Sequence, residues 1–160
     1  MANPKVLMVD DNEEFLEATS ARLELRELAV DTATSGADAL KLLQGKSYDV
    51  AILDLAMPGI SGVETLHKMK EEQPFLQVIM LTGHGSYEAA LESGYSHAFK
   101  FLEKPVEVDE LTSIIYEAHE EKGRQQGVAY QKELSKVLNS FATAQDIVSQ
   151  TRALQKKYGQ

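Results

Sequence analysis

The chain has 160 residues, 43% of them hydrophobic and 26% charged, a composition that fits one folded domain with a modest appendage and excludes a disordered chain. It contains no cysteine, which excludes disulfides and thiolate metal sites. The net charge of −9 is unevenly placed: residues 1–122 hold 10 Lys+Arg and 23 Asp+Glu, a balance of −13, whereas residues 123–160 hold 6 and 2, a balance of +4.

That asymmetry predicts two parts, an acidic body over 1–122 and an amphipathic helical tail over 123–160. The acidic body argues against a nucleic-acid surface and suits a site that gathers cations. No charged leader precedes an apolar stretch, and no apolar run approaches membrane-spanning length, so a cytoplasmic protein without membrane contact is expected.

Lys5–Val9 is a short apolar run, read as a buried parallel strand that stops at Asp10-Asp11-Asn12. Phe15, Leu16, Thr19, Leu23 and Leu28 then recur at roughly helical spacing. Val30–Ala33 reads as a second strand. Ser35 and Asp38 open a short helix in the manner of a capping box, and Gly45 ends it. Val50–Leu53 is a third buried strand that runs straight into Asp54. A turn-rich segment, Met57 to Gly62, precedes a helix carrying Val63, Leu66 and Met69 inward as far as Pro74. Leu76–Leu81 is a fourth strand ending at Thr82. Gly83 to Gly85 form a loop, Ser86 caps a short helix and Gly94 closes it. Ala98–Leu102 is a fifth strand, ending before Lys104-Pro105, and a last helix holds Leu111, Ile114, Ile115 and Ala118.

Five apolar strands alternating with helices predict an α/β fold, a doubly wound parallel sheet covered on both faces. In such sheets the working site lies beyond the carboxyl ends of the strands. The residues there are Asp10, Asp11, Asp54, Thr82 and Lys104. Two carboxylates about 4 Å apart repel by roughly 4 kcal/mol at an effective dielectric near 20, so three together call for protonation or a neutralising cation. Hard oxygen donors in a small site favour Mg²⁺.

The ordered set VDDNEEF, LDLAMPGISG, LTGHG and FLEKP resembles the response-regulator receiver family of two-component signalling, over residues 5–120. The resemblance implies a five-stranded, flavodoxin-like sheet in the order 2-1-3-4-5. It implies Asp54 as the nucleophile that takes a phosphoryl group from a sensor histidine kinase or phosphotransfer protein. Asp11 and Asp54 would bind Mg²⁺ directly, Asp10 through water, and the Ala56 carbonyl would complete the protein ligands. Lys104 matches the lysine that contacts phosphoryl oxygens. Thr82 matches the hydroxyl that moves to them, Phe101 the aromatic that follows it inward, and Pro105 a proline after a cis peptide. Because Phe101 has no hydroxyl, a switch by packing alone is implied. Two positions depart from residues that would handle water near the phosphoryl group: Ala56 cannot orient a water, and His84 is either placed to do so or a solvated loop residue. His67, His97 and His119 read as surface or partly packed.

Gly123 and Gly127 bracket an expected break. Beyond it, Tyr130, Leu134, Val137, Phe141, Ala144, Val148 and Thr151 follow at spacings of four and three, an imperfect heptad seam. A homodimer through this C-terminal helix, a helix folded back on the body, and a truncated output domain are three readings of the tail. No helix-turn-helix fits it, and no direct DNA binding is expected. Two other classes of function compete with a phosphorylation switch. One is a receiver-like adaptor that works without phosphorylation, against which the complete acid and lysine set argues. The other is an aspartyl-nucleophile phosphatase, which wants an acid two residues after its nucleophile, where Ala56 stands.

Overall fold

The computed structural model describes residues 2–83, 85, 86, 88, 97–140 and 143–160. Packing divides the chain into two compact units, Met1–Glu120 and Glu121–Gln160.

The first unit is built on strands β1 (Lys5–Val9), β2 (Ala29–Ala33), β3 (Val50–Leu53), β4 (Gln77–Thr82) and β5 (Lys100–Glu103). All neighbouring pairs are parallel and the order is β2-β1-β3-β4-β5, the sheet expected from the sequence. β1 and β3 have the bounds read from the sequence, and β2, β4 and β5 start or stop one or two residues away, which is ordinary at element ends. Alternation along each strand divides the core in two. Val6, Met8, Val50, Ile52, Ile79 and Leu81 pack on one face with Leu16 and Leu23 of α1 (Glu13–Glu24) and with Leu111, Ile114 and Ile115 of α4 (Val108–Asn139). Leu7, Val9, Ala51, Leu53, Val78 and Met80 pack on the other with Leu43 of α2 (Gly36–Gly45) and Leu66 and Met69 of α3 (Gly62–Glu72). Strands buried on both faces read as continuous apolar runs. Each such side chain contributes roughly 1.5–3 kcal/mol when fully buried.

Local chemistry turns the chain sharply where the strands end. Asn12 caps α1 by accepting the Phe15 N–H at 3.0 Å, and Ser61 caps α3 by accepting the Glu64 N–H at 3.2 Å. The loop after β3 lies against Gly62, where an added Cβ would stand 2.5 Å from Leu55 Cα and 2.6 Å from the Asp54 carbonyl oxygen. At the other end of the sheet, the Gln73 amide donates to the carbonyls of Leu43 and Lys46 at 3.0 and 2.8 Å and accepts the Tyr48 N–H at 3.0 Å. It thereby satisfies the frayed end of α2 and the entry to β3 together. Residues 85, 86 and 88 after β4 are helical, whereas the expected close at Gly94 lies outside the described residues.

Two expectations about the tail are corrected. Helix α4 runs unbroken through Gly123 and Gly127, where an added Cβ would meet nothing within 4 Å. A helical glycine lowers stability by about 1 kcal/mol relative to Ala but does not by itself end a helix. The seam, in turn, is not one helix. Tyr130, Leu134 and Val137 lie on α4, which ends at Asn139, and Ala144, Val148 and Thr151 lie on α5 (Ala144–Tyr158). Phe141 lies outside the described residues. Thr143 starts α5 with a reciprocal capping box: its hydroxyl accepts the Asp146 N–H and its own N–H is accepted by Asp146, both at 3.2 Å. Within this second unit Lys157 and the Tyr158 hydroxyl both donate to Glu133 Oε1, and the rings of Tyr130 and Tyr158 meet edge-on at 6.2 Å. A heptad seam needs an uninterrupted helix, so the homodimer read from it is withdrawn.

Among the described residues no helix is long and apolar enough to cross a membrane.

Candidate functional site

Three strand-end residues are held by backbone hydrogen bonds that continue the sheet one step past its strands. The Asp10 N–H donates to the Ala33 carbonyl at 3.1 Å, Asp54 to Val9 at 3.0 Å, and Lys104 to Thr82 at 2.8 Å. Their side chains therefore leave the sheet at fixed points on its carboxyl edge. Asp10 and Asp54 are buried, 3% and 7% exposed, whereas Asp11 is open to solvent. One carboxylate oxygen each of Asp10, Asp11 and Asp54 lies within 4.8 Å of the others, and this is the single such acidic group among the described residues.

The bonding inside the site is asymmetric. Lys104 Nζ donates to Asp10 Oδ2 at 2.5 Å and stands 3.6 Å from Asp54 Oδ2. Asp10 Oδ1 accepts the Asn12 N–H at 2.9 Å, so both Asp10 oxygens are engaged. Asp54 Oδ1 accepts the Thr82 hydroxyl at 2.8 Å and the Ala56 N–H at 3.1 Å. Thr82 is fully buried at the end of β4. Three carboxylates against one ammonium leave an anionic site that a small divalent cation would neutralise. The donors are all hard oxygens, and Asp11 keeps one side of the group open to water, which is the donor set Mg²⁺ takes.

The structure thus gathers Asp10, Asp11, Asp54, Thr82 and Lys104 at one place, with Ala56 bonded to Asp54. The peptide between Lys104 and Pro105 is cis. Phe101 is half-buried against the cluster that holds Leu53 and Met80. His84 lies outside the described residues. His67 and His97 are exposed and meet edge-on at 5.5 Å, and His119 is half-buried. The sequence reading missed two members of the site. Asn12 both donates to Asp10 and caps α1, a role its place between an acidic pair and an amphipathic run could have signalled. Phe15, one of the recurring positions of the first helix, packs against the core cluster, and its ring also lies under the Lys104 ammonium, 4.2 Å from centroid to Nζ. No sequence spacing links residues 15 and 104.

Comparison with known proteins gives the family of the chain. The family described as the response regulator receiver domain matches residues 6–116. The transcriptional regulatory protein GlrR of Escherichia coli K12 is 36% identical over 116 residues, 72% of this chain and 26% of that protein. The DNA-binding transcriptional regulator NtrC of the same organism is 28% identical over 145 residues, 89% of this chain and 31% of that protein. Among solved structures, a response regulator receiver domain protein from Clostridium thermocellum is 35% identical with a TM-score of 0.69, covering 74% of this chain and 96% of that one. The response regulator TrrA of Thermotoga maritima, solved in complex with Mg²⁺–BeF, is 31% identical with a TM-score of 0.64, covering 72% and 98%.

The chain spans between a quarter and a third of the length of these two curated relatives. One expectation falls here. The acidic body and the lack of a helix-turn-helix in the tail lead one to expect no direct DNA binding, yet relatives of this chain are transcriptional regulators, one of them named as DNA-binding. The charge of a domain that spans a quarter to a third of these relatives carries no information about the rest of those proteins.

Proposed function

The chain belongs to the response regulator receiver domain family, and from that premise we propose that it is a phosphorylation switch with Asp54 as its acceptor. The observation that carries this reading is the meeting of Asp10, Asp11 and Asp54 within 4.8 Å, with the Lys104 ammonium against two of them. A carboxylate oxygen of Asp54 attacks the phosphorus of a phosphohistidine on a sensor histidine kinase or phosphotransfer protein. The new O–P bond forms as the P–N bond breaks, and its electron pair leaves on the imidazole nitrogen. Lys104 meets the phosphoryl oxygens as a point charge.

Asp11 and Asp54 would hold Mg²⁺ directly, with the Ala56 carbonyl. Asp10 would act through water, since its two oxygens already serve Asn12 and Lys104. The ion, when bound, supplies neutralisation of the charge on the transferring oxygens. The product adds about −1.5 to −2 charge units beside Thr82. The Thr82 hydroxyl, now on Asp54 Oδ1, then turns to the phosphoryl group, and Phe101 follows by packing alone. The names of the relatives support placing this switch upstream of transcription.

Intact-mass measurement with MgCl₂ and acetyl phosphate tests the reading. A gain of about 80 Da, one phosphoryl group, is expected in the wild type and not in Asp54→Ala. A gain that persists in Asp54→Ala refutes Asp54 as acceptor, and no gain in the wild type refutes the switch.

A further inference from the structure

We propose that Phe15 is a positioning residue for Lys104, its ring face fixing the ammonium beside the phosphoacceptor. The inference rests on the reading of Lys104 as the phosphoryl contact, and it gives Phe15, the last residue of the VDDNEEF motif, a role in that site.

Four residues close a cycle of contacts. Lys104 Nζ donates to Asp10 Oδ2, and Asp10 Oδ1 accepts the Asn12 N–H at 2.9 Å. Asn12 Oδ1 accepts the Phe15 N–H at 3.0 Å, and the Phe15 ring returns to Lys104 Nζ at 4.2 Å from its centroid. A cation within about 6 Å of an aromatic centroid is attracted by the negative ring face. The attraction is stronger where water is partly excluded, and the Lys104 side chain is 24% exposed.

The cycle explains why an aromatic ring, and not a carboxylate, suits this place. Lys104 already faces Asp10 and Asp54, and a third anion on its far side would draw it away from an incoming phosphoryl group. A ring attracts the ammonium without accepting its protons in strong hydrogen bonds, so all three N–H donors stay available to oxygen. The anchor is also rigid. The Asn12 cap fixes the backbone of Phe15, and the ring packs against the core cluster containing Leu16 and Leu111. Lys104 has a flexible four-carbon stem, and the ring limits where its end can go. Rotation about α1 by one residue would remove the contact, so the cap and the contact depend on the same turn.

Packing alone is the competing role for Phe15, and the test separates the two. Lys104 side-chain NMR shifts are measured in the metal-free full chain for wild type, Phe15→Leu and Phe15→Tyr. Initial phosphorylation rates with acetyl phosphate and MgCl₂ are measured on the same three proteins. The Lys104 Hε protons are expected upfield in wild type and Phe15→Tyr and at an ordinary position in Phe15→Leu. The rate is expected to fall about fivefold in Phe15→Leu, a cation–π contribution in the range usual for partly exposed sites, and to recover in Phe15→Tyr. If Phe15→Leu does not fold, trifluorophenylalanine at position 15 keeps the shape while weakening the ring face, and the same loss of rate is expected. Unchanged Lys104 shifts in Phe15→Leu, or an undiminished rate in a ring-weakened folded variant, overturn the proposal. Absence of phosphorylation in the wild type would overturn the function above, while the metal-free shifts would still decide whether the ring holds the lysine.

Discussion

At the scale of single residues, the site is a balance among like charges. Asp10 is buried and shares Lys104 with Asp54, which stands 3.6 Å from the same ammonium. Removing Lys104 leaves two buried carboxylates without that cation, and a broken buried pair is more harmful than an absent one. In the presence of a chelator, Lys104→Met is expected to lower the unfolding free energy by about 1–3 kcal/mol, with urea unfolding as the measurement. Thr82 and the Ala56 N–H both serve Asp54 Oδ1, so the acceptor keeps two donors whatever happens to the lysine. Those donors explain why a carboxylate tolerates burial at this position.

At the scale of elements, the end of the sheet away from the site is stapled by polar contacts of its own. Tyr48 is buried and donates its hydroxyl to Asp31 Oδ2 on β2 at 2.6 Å, and Lys46 donates to the same oxygen at 2.5 Å. Burial, and then the bond to Asp31, raise the Tyr48 phenol well above its ordinary value of 10.0. The unfolded chain therefore ionises Tyr48 first, and its contribution to stability is full below pH 10 and is lost as pH rises towards the folded value. Denaturant unfolding between pH 8 and about 11 is expected to show that alkaline loss, and Tyr48→Phe to flatten it while lowering neutral-pH stability by about 1 kcal/mol. Asp31 behaves oppositely: the bonds from Lys46 and then Tyr48 hold its carboxyl below the usual range, so its share is lost as pH falls. The loop after β3 depends on a different element contact, Gly62 against Leu55 and Asp54, which leaves no room for a side chain.

At the scale of the whole molecule, the carboxylates of one acidic cluster come from the ends of separate strands, so a cation held there would link its binding to folding. A cation that binds the folded site and not the unfolded chain stabilises by mass action, by about 1.4 kcal/mol at ten times its dissociation constant. The thermal midpoint is expected to rise with MgCl₂, to fall back with a chelator, and to lose most of this response in Asp11→Asn. The solvent-open position of Asp11 makes that variant the mildest way to remove a ligand without disturbing the core. The second unit, Glu121–Gln160, organises its own contacts around Glu133, Lys157, Tyr130 and Tyr158. Its two helices meet where a single amphipathic helix was expected.

Sequence alone carried the sheet, because buried parallel strands must be apolar on both faces and their ends are marked by abrupt polar residues: Asp10 after Val9, Asp54 after Leu53, Thr82 after Leu81. It carried the acid and lysine set for the same reason, since a doubly wound sheet delivers its strand ends to one edge. Helix breaks were less legible. Gly123 and Gly127 read as a helix break but sit inside α4, while the break before α5 is marked by the Thr143 cap. Tertiary structure decided what no local pattern encodes: that Phe15 and Lys104, 89 positions apart, share one contact, and that Gln73 closes the ends of two other elements. Periodicity reports which side of an element faces the core, whereas contacts between elements depend on how those elements are packed in three dimensions.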